Sequence, residues 1–251
     1  MKLVLLVAIF ANSAFTHKFP FTYKFPENFH TCHVTDPQLD NCLKITIENA
    51  LRLIGSTGIP SLYLRAIDPL KVTKIEIGAG TNAVNLVQKY SDVSLHGIAS
   101  SKVENAHLDI DRKVLTFEIF IPSLTQEAHY DINGSILVVP VYGNGKSVQK
   151  LFNVTVISTI TFEEETKNGE SYFKVQSYKL SIDPRKGEYR FDNMFDGDER
   201  LGATILKTLN DNWKAIYDDI RSGLEGAYAA VFKSITNGFF SKIPNGEIFL
   251  K

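Results

Sequence analysis

The chain has 251 residues, 44% of them hydrophobic and 22% charged, with a formal net charge of −1. That is the composition of a folding chain at the upper end of single-domain length, which excludes a disordered polymer. The near-balanced charge excludes an electrostatic grip on nucleic acid or an anionic bilayer, so no nucleic-acid partner is expected.

Residues 1–16 read as a secretory signal peptide. Lys2 supplies the positive start, residues 3–10 are apolar, and small residues up to Ala14 and Thr16 suit cleavage. The run is too short to span a bilayer, and no later apolar run is long enough, so no stable membrane insertion is expected. The mature chain, residues 17–251, is expected to be secreted and to form one domain.

Residues 17–31 place Pro20 and Pro26 among Phe19, Phe21, Tyr23, Phe25 and Phe29, the pattern of an irregular aromatic arm. Cys32 and Cys42 follow. In an oxidising compartment they are expected to form a disulfide, whose short loop contributes about 3 kcal/mol. The alternative is a metal site built from His30, Cys32, His33 and Cys42, which the secretory context disfavours. Asp36-Pro37 signals a helix start. Leu39, Leu43, Ile47, Ala50, Leu51 and Ile54 then recur at helical spacing, with the stop at Gly55 or Gly58. This short N-terminal helix buries its apolar face in a core or serves as a lid tethered by the disulfide.

Ile59-Pro60 and Asp68-Pro69 break the chain. Between residues 71 and 190 the pattern has period two. Leu115, Phe117, Ile119 and Ile121 alternate with Val114, Thr116, Glu118 and Phe120. Val154, Val156, Ser158, Ile160 and Phe162 alternate with Thr155, Ile157, Thr159 and Thr161. Hairpin turns are predicted at residues 111–113, Asn144-Gly145 and Asn168-Gly169. Strands without alternating helices form an antiparallel sheet. Asn133 and Asn153 begin glycosylation sequons.

Residues 198–242 contain no proline. Leu201, Ile205, Leu209, Trp213, Ile216, Ile220, Leu224, Ala227, Val231, Ile235 and Phe239 step by three or four, which predicts one helix of roughly 65 Å. Asp196 and Glu199, with Asp198 between them, predict a capping box, and Gly238 and Pro244 the end. Gly223 and Gly226 inside it imply either a close approach or a kink. The e/g charges of a coiled coil are missing, so something else must cover the stripe. The expected fold is α+β, a long C-terminal helix wrapped by a strongly curved antiparallel β-sheet. Such a sheet cannot approach the helix closely along its whole length, so apolar room remains inside.

Motifs spread over nearly the whole mature chain resemble the insect takeout and juvenile-hormone-binding protein family. They are the stretch from Cys32 to Leu43, Gly58-Ile59-Pro60, Ile67-Asp68-Pro69-Leu70, and the run from Tyr130 to Gly134 before Val138-Val139-Pro140. Asn153 to Val156, Lys167-Asn168-Gly169, the run from Met194 to Gly197 before Leu201-Gly202, and Leu209 to Trp213 follow in order. The resemblance implies a curved sheet around a C-terminal helix, as in tubular lipid-binding domains. It also implies an internal hydrophobic pocket or tunnel, a small apolar ligand and no catalysis. The dedicated hormone carriers have a second disulfide between sheet and helix, for which this chain has no cysteines, so it resembles the takeout branch. There the ligand is open: a hormone, terpenoid, fatty acid or odorant.

No catalytic motif competes with that expectation. Gly55-Ser56-Thr57-Gly58 is not a nucleophile elbow, His96, His107 and His129 are isolated, and residues 192–199 lack calcium-loop spacing. No enzyme activity, cofactor or metal is expected, and the expected partner is a small hydrophobic ligand. The residues expected to face it are Leu51, Ile54, Thr159, Trp213, Ile216, Tyr217, Ile220, Leu224, Val231, Ile235 and Phe239, with Tyr217 or Thr159 supplying a polar contact. The default use of such a stripe is plain core. A hydrolase of lipophilic esters and a membrane-surface lipid-transfer protein are the alternatives.

Overall fold

A computed structural model of the chain describes residues 29–80, 84–136 and 139–250. The signal-peptide and arm assignments at residues 1–28 lie outside them. In chain order the elements are β1 (Cys32–His33), α1 (Leu39–Thr57), β2 (Leu70–Ile77), β3 (Val84–His96), β4 (Lys102–Asp109), β5 (Val114–Ile136), β6 (Val139–Lys167), β7 (Glu170–Asp183) and β8 (Lys186–Phe191). Then come α2 (Glu199–Asp211), α3 (Trp213–Phe240), α4 (Asn245–Ile248) and β9 (Phe249–Leu250).

The spine is the antiparallel pair β5 and β6, of 23 and 29 residues. Each long strand changes partner along its length. β5 pairs with β4 at its start and with β3 further on, and β6 pairs with β8 and then β7. Strands this long cannot stay flat, because right-handed twist accumulates and bulges sharpen it. Register shifts fall at Ser91/Ser94, Val103/Asn105 and Thr161/Phe162. Asn153 takes a left-handed φ of 49° where β6 passes from β8 to β7. The result is a strongly curled seven-stranded sheet whose main path runs β2-β3-β5-β6-β7.

Helix α3 packs along β7 and also touches β2, the two ends of that path, so it lies across the gap between the sheet's edges. Gly223 is the point of close approach, where an added Cβ would sit 3.1 Å from the Ile77 methyl. Gly226 has open space around it. Side chains of the helices take hydrogen bonds that a further strand would have made. Asn237 Oδ1 accepts from Val175 N at 2.9 Å, and Glu225 Oε1 accepts from Ile182 N at 2.7 Å. Asp219 accepts from Val84 N, and Asn210 both accepts from Tyr189 N and donates to Tyr189 O. A sheet edge sealed in this way offers no template for another chain.

Several local expectations need correction. The stretch at residues 198–242 is two helices, because Asn212 leaves helical geometry at φ −112°, ψ 21°. The cause lies in its polar neighbours. Asn210 is held to β8, and the Asn212 side chain bonds back to Thr208 O at 2.9 Å, a local alternative to the helical ladder. The cap is Asp198 alone, whose carboxylate accepts from Leu201 N at 2.9 Å, while Asp196 sits before the helix with φ 52°. Gly238 is inside α3, and Pro244 precedes the one-turn α4.

Asn144-Gly145 is not a turn. It lies within β6, opposite Asp131 and Tyr130, and the chain reverses between the paired Ile136 and Val139. The glycines have another use there. An added Cβ on Gly145 would lie 2.6 Å from Asp192 O, so the loop at residues 192–194 rests on bare backbone, pinned by the Tyr130 hydroxyl at 2.6 Å. The turns at residues 110–113 and at Asn168-Gly169 are present, and α1 runs on to a stop at Gly58, with φ 68°.

Candidate functional site

Cys32 and Cys42 form a disulfide with Cα atoms 5.9 Å apart, which removes both thiols from any metal site with His30 and His33. The bond ties α1 to β1. β1 in turn pairs in parallel with β9 near the C-terminus, through Cys32–Phe249 and His33–Leu250. Both ends of the described chain therefore meet beside α1.

Behind this strap lies a cavity of about 260 Å³. One wall is the face of α1 carrying Leu43, Ile47, Leu51 and Ile54. The opposite wall is α3 from Leu224 onward, with Tyr228, Phe232, Ile235, Thr236, Phe239 and Phe240 on one helical face. The inner face of the sheet completes it: Leu115, Phe117, Ile119 and Ile121 from β5, Val156, Ser158 and Ile160 from β6, Tyr178, Leu180 and Ile182 from β7. No Lys, Arg, Asp or Glu lines it among the described residues.

The two ends of this space differ. Towards the strap it is aromatic: Phe29 stacks on Phe239 with ring centres 5.8 Å apart, and Phe240 packs on Phe162 at 4.7 Å. Phe173 meets Phe249 at 6.0 Å. The far end is polar. Gln126 and Gln149 are cross-strand partners on β5 and β6, both facing inward, and the Tyr228 hydroxyl donates to Gln126 Oε1. From Tyr228 to Phe239 along α3 is about 16 Å. Gln149 Nε2 is buried. The Gln149 side chain interacts with the Tyr90 phenol and eases its ionisation, but burial dominates and keeps Tyr90 neutral. Burial likewise raises the pKa of Tyr228, and pushes Tyr178 up to about 12 despite its hydrogen bond to Ser158 Oγ at 3.1 Å. The cavity's phenols are thus neutral, and the polar groups at this far end are amides and hydroxyls, whereas the one histidine of the lining, His30, follows Phe29 at the strap end.

Of the residues expected to face a ligand, the structure brings Leu51, Ile54, Leu224, Ile235 and Phe239 together around the cavity. Six others lie elsewhere. Ile216, Tyr217 and Ile220 are solid core under the first turns of α3, and the Tyr217 hydroxyl is committed to Ile182 O at 2.9 Å. Trp213 packs over Gly187 on β8. Val231 is half-buried and does not reach the lining. Thr159 sits between Ser158 and Ile160, so strand alternation turns it to the sheet's other face. The side chains at Asn133 and Asn153 are exposed.

A model of the haemolymph juvenile hormone binding protein family matches residues 4–250. The chain belongs to that family. It is 25% identical over 242 residues to the circadian clock-controlled protein daywake of Drosophila yakuba, covering 93% of this chain and 92% of that protein. The Drosophila melanogaster protein of that name is 26% identical over 235 residues, with 90% and 89% covered. In fold the chain is similar to Epiphyas postvittana Takeout 1, with a TM-score of 0.77 and 22% identity over 88% of this chain and 99% of that one.

In this family member the periodic stripe of residues 198–242 held more positions than the cavity uses. The lining residues missed from sequence include Gln126, Gln149, Ser158, Tyr178 and Tyr228. Alternation does carry a signal for Ser158, which shares a face with Val156 and Ile160. Nothing local marks the two glutamines, since their partners lie on other strands and on α3.

Proposed function

We propose that the chain is a secreted carrier that encloses one small hydrophobic molecule in this cavity, of the hormone, terpenoid, fatty-acid or odorant type. The observation that carries the reading is an interior cavity of about 260 Å³ bounded mostly by apolar side chains, with no Lys, Arg, Asp or Glu among the described lining. Family membership and a family fold point the same way. A ligand burying ~400 Å² gains on the order of 10 kcal/mol before the costs of association, enough for micromolar binding or better.

The strap of β1 and β9, together with α1, is the proposed gate, because it rests on two-residue pairing and one disulfide. We propose no catalytic step: the Ser158 hydroxyl is partnered by Tyr178, and no histidine–acid pair faces the cavity among the described residues. No helix among the described residues is long and apolar enough to cross a membrane.

The test is displacement of N-phenyl-1-naphthylamine from the purified protein. Ile235→Trp, which fills the middle of the cavity, is expected to lower dye affinity at least tenfold at unchanged helix content. Full binding in that variant would remove the cavity as the site.

A further inference from the structure

The outer face of the sheet holds a cross-strand row that the cavity does not use. Asn133 on β5 stands opposite Val87 on β3 and opposite Tyr142 on β6. Burial alternates along these strands, and all three residues are exposed where Leu86, Ile132 and Val141 beside them are buried. Val87 is 42% exposed and Tyr142 41%, so two apolar side chains flank one asparagine. Side chains directly opposite each other start about 5 Å apart. The rows on either side are polar at β5, with Asp131 between Lys89 and Asn144, and Ser135 between Asn85 and Pro140. The Tyr142 ring is braced by Phe195, with ring centres 5.2 Å apart at 74°. An apolar spot with polar neighbours marks a place where something else makes contact.

The asparagine in the middle says what that is. Asn133-Gly134-Ser135 is a glycosylation sequon. A pyranose ring has one face of C–H groups, which lies on an aromatic ring as other apolar groups do. Asn153, the start of the other sequon, lacks this setting, because the ladder skips it among the described residues. We propose that Asn133 carries an N-linked glycan whose first N-acetylglucosamine lies over Tyr142 and Val87 and covers this part of the sheet. Transfer forms a bond from Asn133 Nδ2 to the anomeric carbon and breaks that carbon's bond to the diphosphate of a polyprenyl-diphosphate oligosaccharide. Nδ2 gives up one proton, and the lipid diphosphate leaves. The proposal rests on the secreted reading above, since that donor belongs to the secretory route.

The test uses the full chain with its own leader in cultured insect cells treated with kifunensine, so that an endoglycosidase trims the glycan to its first sugar. Peptide mass mapping of protein from the medium is expected to find the sugar on Asn133. Ser135→Ala, which removes the sequon and keeps Asn133, is expected to melt about 2–4 °C below the trimmed protein, the shift that one aromatic contact supplies in a domain of this size. In Tyr142→Thr that difference should vanish. A readout that needs no variant is the proton spectrum of the trimmed protein, in which ring protons of the N-acetylglucosamine should move upfield and show contacts to the Tyr142 ring. An unmodified Asn133 in secreted protein, equal melting with and without the sugar, a difference that survives Tyr142→Thr, or sugar protons at free-sugar positions would each overturn the glycan contact and leave secretion standing. Retention of the chain inside the cells would overturn both.

Discussion

Tyr217 shows how one hydroxyl divides core from cavity. It is 1% exposed, and its hydroxyl donates to Ile182 O, so the ring is a strut between α3 and β7. Tyr217→Phe leaves that carbonyl unpaired in a dry site, at a cost of about 1–2 kcal/mol. The expected outcome is a lower melting temperature with unchanged dye affinity, and a loss of affinity without a loss of stability would place Tyr217 against the ligand instead. The buried phenols also fix the response to alkali. Burial raises Tyr178 from 10.0 to about 12, and moves Tyr90, Tyr217 and Tyr228 in the same direction. The folded chain holds these protons more tightly than the unfolded chain does. The stability they contribute is therefore complete below pH 10 and is lost as pH rises through 10 towards 12 and beyond. Urea midpoints measured from pH 8 to 12 should fall across that window, and Tyr178→Phe should make the fall shallower.

At the scale of elements, α3 acts as a substitute strand. Its Glu225 and Asn237 satisfy two N–H groups on the outer edge of β7, and Glu225 is itself held by Arg221 at 2.9 Å. Replacing both by alanine exposes unpaired donors on a 14-residue edge strand. The expected result is a loss of roughly 1–2 kcal/mol per site and a protein that associates through β7. Denaturant melts and light scattering on storage check both parts, and a monomer as stable as the native chain would refute the strand-substitute role. The amphipathic period of residues 198–242 was legible because it is local. The break at Asn212 was not, because it depends on Asn210 reaching Tyr189 on β8, a contact that only the assembled sheet provides.

For the whole molecule, the cavity is closed by a clasp made of both ends of the described chain. The Cys32–Cys42 disulfide holds α1 to β1, and β1 holds β9, whose Phe249 lines the cavity. Cys32→Ser combined with Cys42→Ser is expected to cost about 3 kcal/mol. It should also shorten the residence time of bound N-phenyl-1-naphthylamine several-fold, as measured by stopped-flow dilution. Lost stability with unchanged residence would separate the disulfide from the gate.

The α+β class, the antiparallel strands, the amphipathic C-terminal run and the apolar character of the interior are all legible along the chain. Each of these is a periodicity of two or of three to four residues, set by neighbours in the chain. Where the stripe on α3 stops being core and starts lining a cavity depends instead on the assembled sheet. The side chains from Ile216 to Ile220 meet the sheet closely, whereas those from Leu224 to Phe240 face a sheet that has curled away. The same holds for Gln126, ordinary in sequence, which stands buried beside Gln149 with the Tyr228 hydroxyl on its carbonyl. Which polar groups share a dry interior depends on strand register and on the placing of the helix, and no local pattern encodes either.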